Sequence, residues 1–288
     1  MNRINKILIL SILTIGFIAC ASKQNNFNGE KTPLGLFYGM TDWYDKKEAY
    51  QDSVFDNIPG IRHQEFYTDL SIPEDSVRYR NSLGIYIDEE YPTKAVRERV
   101  FAFMDSIICQ GLSYDIEKDS LSHDLSQLET ADDFLNIWKA FYDNTGNVES
   151  ETLHLPEIRG TRVCVVSHKV ATKNNYATYL MESSVDYHGS NGCPSEADYL
   201  TYEISSGKPL SIQEVLAIYP VSNLMQKLRD AYVNAAKERN FEPSDSMTGE
   251  KLLQEADGTA IINEGLLIYY KPYKIGCGAE GQYNLVIN

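Results

Sequence analysis

An α+β fold is predicted for this sequence: an antiparallel sheet with helices packed on one face. Three observations predict it. Two amphipathic helical stretches stand together before residue 150, strand patterns take over from residue 161, and the strands adjoin one another with helices inserted between groups. The composition suits a folded chain: of 288 residues, 43% are hydrophobic, 23% charged and 11% aromatic. Those values exclude a disordered, fibrous or polytopic membrane protein. The formal net charge is −15, which argues against a nucleic-acid partner, because phosphate contacts need clustered Lys and Arg. No repeat of about 20 to 50 residues occurs, so solenoids and propellers are set aside.

Residues 1–19 read as a signal peptide. Arg3 and Lys6 form a short basic region before the apolar run Ile7 to Ala19, too short to span a bilayer and right for a signal core. It ends Phe17-Ile18-Ala19-Cys20, which resembles the lipobox of bacterial lipoproteins, with Phe17 in place of the usual Leu. Cys20 is therefore the expected lipidation site, and several acyl chains give stable attachment where one is marginal. Residues 20–59 are a polar tether and a poorly patterned lead-in, and 60–288 read as one α+β domain. The expected location is the bacterial envelope, lipid-anchored, with the outer membrane favoured.

After the tether, residues 34–80 predict only weak strands. Leu83 to Ile87 is a short strand, halted before Tyr91-Pro92. Thr93 then caps a helix whose Val96, Val100, Phe103, Met104 and Ile107 share one face, and Gly111 ends it. Thr130 and Asp133 start a second helix in capping-box spacing, burying Phe134, Ile137, Trp138 and Phe141. Strands follow at Arg162–His168, at the alternating run Tyr176–Tyr187, and at Asp198–Ser205. Ser205 to Lys208 makes a turn, and Ser211 with Glu214 makes a capping box for a short helix. A longer helix after Pro220 carries Leu224, Leu228, Ala231, Tyr232 and Ala235. The strands Thr259–Asn263, Gly265–Lys271 and Gln282–Ile287 close the chain, the first two joined by a hairpin turn at Asn263-Glu264.

The run Tyr202 to Leu216, with Ser206-Gly207-Lys208 in its turn, resembles the strand, Thr-Gly-Lys turn and helix start of one extracytoplasmic family. That family is the C-terminal domain shared by the anti-sigma factor RsiV and the peptidoglycan deacetylase PdaC. Gly265 to Ile275, through Tyr270-Lys271-Pro272-Tyr273, is similar to the family's closing segment, and Val185-Asp186-Tyr187-His188-Gly189 stands where the family has a Gly-rich loop with a His. The resemblance is strongest over 160–288. Three departures stand out: Val185, Asp186 and Tyr187 replace small residues, Lys274 replaces an acid, and Cys277-Gly278 replace a Pro-Tyr pair. The resemblance implies an RsiV/PdaC-like fold and a lysozyme-binding module. The Asp-Ser-apolar tripeptides at Ser53, Ser76, Ser120 and Ser246 resemble the O-glycosylation motif of exported Bacteroidetes proteins.

Chemistry is hard to find in the sequence. It holds no G-x-S-x-G, P-loop, dinucleotide fingerprint or H-E-x-x-H, and no zinc spacing among Cys and His. No catalytic residue, metal or cofactor is expected. Polar and aromatic groups in loops serve binding, so Tyr187, His188, Gly189, Asn191, Tyr273 and Glu280 are the candidate ligand contacts. Cys193 and Cys277, both in Gly-containing loops, are the candidate disulfide in an oxidising compartment, with Cys109 and Cys164 as the alternative pair. The expected function is a non-catalytic, lipid-anchored envelope binder of a lysozyme-like protein or a peptidoglycan-type glycan. Two alternatives stand beside it: a peptidoglycan-modifying or hydrolytic enzyme using His188 with Asp186 or Glu280, and a structural envelope lipoprotein.

Overall fold

The computed structural model of the protein describes residues 59–71, 78–112, 123–145, 161–187, 196–276 and 281–288. The elements in chain order are β1 (Ile61–Ser71), β2 (Arg78–Asp88), α1 (Lys94–Leu112), α2 (Ala131–Thr145), β3 (Thr161–Lys173), β4 (Tyr176–Tyr187) and β5 (Glu196–Glu203). They continue with α3 (Ile212–Ile218), α4 (Leu224–Glu238), α5 (Gly249–Glu255), β6 (Gly258–Ile262), β7 (Gly265–Tyr270) and β8 (Tyr283–Ile287). The class is α+β, as expected, and antiparallel pairing dominates.

The strands form two sheets, ordered β1-β2-β3-β4-β5 and β6-β7-β8. Every neighbouring pair is antiparallel except β2 with β3, which run parallel. A parallel pair needs a crossover of a dozen or more residues. The long connection carrying α1 and α2 supplies it, returning the chain from Asp88 to Thr161.

Both early helices start at the caps their sequence predicts. Thr93 Oγ1 accepts the Val96 N–H at 3.3 Å while its hydroxyl donates to the Ile204 carbonyl at 2.7 Å, so the cap also ties α1 to the end of β5. Gly207, with φ +68°, lies against that first turn; a Cβ there would stand 2.4 Å from the Ala95 oxygen, so only glycine fits. Asp133 N–H donates to Thr130 Oγ1, and the Asp133 carboxylate accepts from the Thr130 and Glu129 N–H groups. The buried faces of α1 (Val96, Val100, Met104, Ile108) and α2 (Phe134, Trp138, Tyr142) cover Leu83, Ile85, Ile87, Val163, Val165 and Tyr179 of the larger sheet. Of the residues the periodicity put on these faces, Phe103, Ile107, Ile137 and Phe141 are half-buried at the margin.

The other face of the larger sheet meets the smaller one through β3, β4, β5 and β6. All six positions of β7 are buried. Leu266, Ile268 and Tyr270 join the core beneath α3, α4 and α5, while the alternating Leu267 and Tyr269 are buried on the opposite face. The layers therefore run helices, sheet, sheet, helices, and each sheet carries helices on one face. The short helix α5 was not foreseen in the sequence. It packs on α4 so closely that a Cβ on Gly249 would stand 2.1 Å from the Met225 oxygen.

A polar clasp joins the two sheets. Thr178 Oγ1 donates to the Ile261 carbonyl at 2.5 Å, and Thr201 Oγ1 accepts the Ile261 N–H at 3.1 Å. The two hydroxyls lie 2.8 Å apart. Since the Thr178 proton is committed to Ile261, Thr201 donates to Thr178, and the four groups close a ring. β6 is the edge strand of its sheet, and an edge leaves backbone groups without a ladder partner. Side chains of the other sheet satisfy them here.

The capping box at α3 forms as predicted. Ser211 Oγ accepts the Glu214 N–H, and the Glu214 carboxylate accepts the Ser211 N–H at 2.9 Å and pairs with Lys208. Lys208 foremost, then the Ser211 donors, hold the Glu214 carboxyl down to about 2 from its ordinary 4.5. A depressed carboxyl stabilises above its unfolded value, so the contribution should be whole above about pH 4.5 and vanish as pH falls through about 2. NMR titration of Glu214 should show that low midpoint, and Lys208→Ala should raise it. A midpoint near 4.5 in the parent chain would mean the pair does not form in solution.

Candidate functional site

The β4–β5 pairing ends with Ser183 opposite Glu196, at one end of the larger sheet. Tyr187 is the last residue of β4, paired with Thr161. The smaller sheet brings the end of β7 and the start of β8 to the same place. Gln282 Oε1 accepts the Ala197 N–H at 3.1 Å, tying the first turn of β5 to the entry of β8. Arg239, just past α4, donates to the Gln282 carbonyl at 2.8 Å and lies 4.1 Å over the Tyr283 ring.

Around this junction the charges alternate. Lys271 Nζ is 3.3 Å from Asp198, and the Tyr269 hydroxyl donates to the same carboxylate at 3.3 Å. Asp257 accepts the Lys271 N–H at 2.7 Å and lies 3.6 Å from Lys274. Burial, and then the Asp198 charge, push the Tyr269 phenol well above its usual range, so it stays a neutral donor. Tyr273 stands out of this network, 76% exposed, on a left-handed backbone with φ +72°. For a bulky residue that conformation is an outlier, of the kind found at turns and clamps. Among the described residues the result is a charged rim with one projecting aromatic ring, an arrangement that can grip a partner by stacking and ion pairing.

Of the sequence-derived contacts, Tyr273 is described in full and Tyr187 by its place in β4. His188, Gly189, Asn191 and Glu280 lie outside the described residues, as do Cys20 and the Cys193–Cys277 pair. What the structure does join are the flanks of both predicted loops, through Ala197 and Gln282. The enzyme reading leaves Asp186 as a β4 position opposite Arg162, and His188 and Glu280 outside the description. Sequence reasoning missed Asp198, Asp257, Lys271 and Arg239; no short motif links them, because they come from four separate segments of the chain.

Two of the remaining histidines pair with buried carboxylates. His168 Nδ1 is 3.1 Å from Asp88 Oδ1, and Asp88 Oδ2 accepts the Lys169 N–H at 2.6 Å, pinning the end of β2 to β3. His123 Nδ1 is 2.9 Å from Asp105 Oδ1 on α1. His63 stacks on Tyr86 with centroids 3.9 Å apart. No helix among the described residues is long and apolar enough to cross a membrane.

Fold and rim together define a four-layer α+β module with a loop-bearing, charged end. No protein-family model and no curated protein matches the chain. Among solved structures it is similar to a member of the DUF3298 family from Bacteroides fragilis, at 13% identity over 79% of this chain and 89% of that one, with a TM-score of 0.43. It is also similar to a DUF3298 family protein from Pseudomonas aeruginosa, at 10% identity over 81% and 92%, with a TM-score of 0.42. Overlap at this level is a likeness of outline and assigns no activity.

Proposed function

We propose that the protein is a lipid-anchored envelope binder that holds a protein or cell-wall glycan ligand at the β5–β7–β8 end without transforming it. The observation that carries this reading is the meeting of the two loop flanks at Ala197 and Gln282, with the exposed Tyr273 three residues past the end of β7. Tyrosines of this kind dominate recognition surfaces. The RsiV/PdaC-like pattern of residues 160–288 supports a lysozyme-like protein as one ligand. The net charge of −15 suits such a basic partner, steering encounter in a salt-dependent way. The signal peptide and Cys20 support an envelope location, with acyl chains on that thiol.

One experiment tests location and binding together. Cys20→Ser should move the protein from the membrane fraction to the soluble one, and that soluble protein then serves as bait for lysozyme and for purified peptidoglycan. Retention of one of the two is expected, falling at least about tenfold in Tyr273→Ala, as for an aromatic anchor. Equal retention by parent and Tyr273→Ala would remove the rim from the binding site. Turnover of peptidoglycan by the parent would favour the enzyme reading instead.

A further inference from the structure

On α1, Asp105 and Cys109 sit four residues apart, hence on one face of the helix. The stretch leading into α2 brings His123 against that face. The three side chains each offer one donor atom, and these atoms lie within 4.8 Å of one another. His123 Nδ1 is 2.9 Å from Asp105 Oδ1, and Cys109 Sγ is 3.8 Å from Asp105 Oδ2. Asp105 and His123 are largely shielded, with side chains 12% and 16% exposed. The His123 ring is held edge-on by Trp138, at 4.7 Å between centroids, and by Phe141 at 6.3 Å.

From this geometry we propose that Asp105, Cys109 and His123 form a three-ligand site for a divalent cation of the zinc class, with a fourth position for water or an outside ligand. A tetrahedral zinc with ordinary bond lengths needs donor atoms about 3.4 to 3.6 Å apart, so the side chains reach it by shifts of about an ångström or less. The donor set is one thiolate, one imidazole and one carboxylate, a borderline-soft combination that suits zinc better than calcium or magnesium. Thiolate and carboxylate together carry two negative charges, which a divalent cation balances. As the metal–sulfur bond forms, the thiol proton leaves to solvent. Without metal the thiol is held in its neutral form, pushed up to about 12 by burial first and then by the Asp105 charge. The aromatic shell around His123 fixes the ring orientation, as second-shell groups do at metal sites. Three protein ligands with an open position is the pattern of reactive rather than closed structural zinc. The site is independent of the β5–β7–β8 rim and draws on none of its residues.

The test uses the full chain, stripped with chelator and then titrated with Co²⁺ as a spectroscopic probe and with Zn²⁺. One ion per chain is expected, with a sulfur-to-cobalt charge-transfer band, and excess Zn²⁺ should raise the melting temperature. Cys109→Ser should abolish the band and weaken binding by more than about 100-fold, beyond the loss that outer-shell changes cause at metal sites. His123→Ala should weaken it similarly, while Cys164→Ser leaves both unchanged. Because a variant in this core could fail to fold, a chain keeping Cys109 as its one cysteine provides the converse: it should retain the band. Less than one ion per chain in the parent, or a band that survives Cys109→Ser, overturns the site. A band missing from the chain that keeps only Cys109 overturns it equally.

Discussion

Replacing Trp138 with alanine should destabilise the domain by about 3 to 5 kcal/mol, the range for emptying a buried aromatic site. Trp138 is the largest fully buried side chain among the described residues, 0% exposed, at the centre of the α2 face that meets β1 and β2. Its ring packs edge-on against Phe141 at 5.6 Å and against His123 at 4.7 Å. The surrounding wall belongs to two helices and a sheet, so it collapses poorly into the space left behind. The indole N–H has no hydrogen-bond partner among the described residues, however, and an orphan buried donor costs about 1 to 3 kcal/mol. Trp138→Phe keeps most of the apolar contact and removes that donor, so its loss should stay within about 1.5 kcal/mol. Denaturant midpoints at constant slope measure both. A Phe variant as weak as the Ala variant would show that the indole is bonded in solution.

Breaking the clasp between the sheets should cost nearly as much. Thr178→Val and Thr201→Val keep the shape of each side chain but remove a hydroxyl from a closed ring of four groups. Thr201→Val strands the Ile261 N–H, and Thr178→Val strands its carbonyl. Each orphaned group should cost about 1 to 3 kcal/mol. Because the ring is shared, either substitution also deprives the other threonine, whose hydroxyls lie 2.8 Å apart. The double variant should therefore lose less than the sum of the singles, with a coupling of about 0.5 kcal/mol or more in a double-mutant cycle. Strict additivity would mean the two hydroxyls act separately, and the ring described above is not the bonded state.

Local signals in the sequence were faithful. Thr93, the Thr130–Asp133 pair and the Ser211–Glu214 box all cap the helices their spacing announced. Those signals are readable because a cap joins residues three apart, and the chain satisfies it wherever the fold takes it. The double burial of β7 was also visible, had the run Gly265 to Tyr270 been read for its lack of alternation: a strand covered on both faces has no polar side. The parallel β2–β3 pair was not visible. Local pattern says that a segment is a strand, not which neighbour it meets after a connection of some 70 residues. The metal-ligand cluster escaped for a related reason. Asp105 and Cys109 share a helix face, but His123 reaches them only after the chain turns back, and no fixed spacing encodes that turn.

The amino-acid order alone thus settles the helix caps and the apolar side of most helices and strands, since propensity, capping and periodicity act over a few residues. It missed α5, the length of β1 and β2, and the end of α1, which runs through Gly111 to Leu112. Folding in three dimensions settles the rest: the division into two sheets, the bond from Ala197 to Gln282 that gathers the loop flanks, the Thr178–Thr201–Ile261 ring, and the meeting of Asp105, Cys109 and His123. Each of these depends on side chains brought together by burial of two opposed apolar faces. That driving force is non-directional, and it leaves the choice of partner to the packing of the whole.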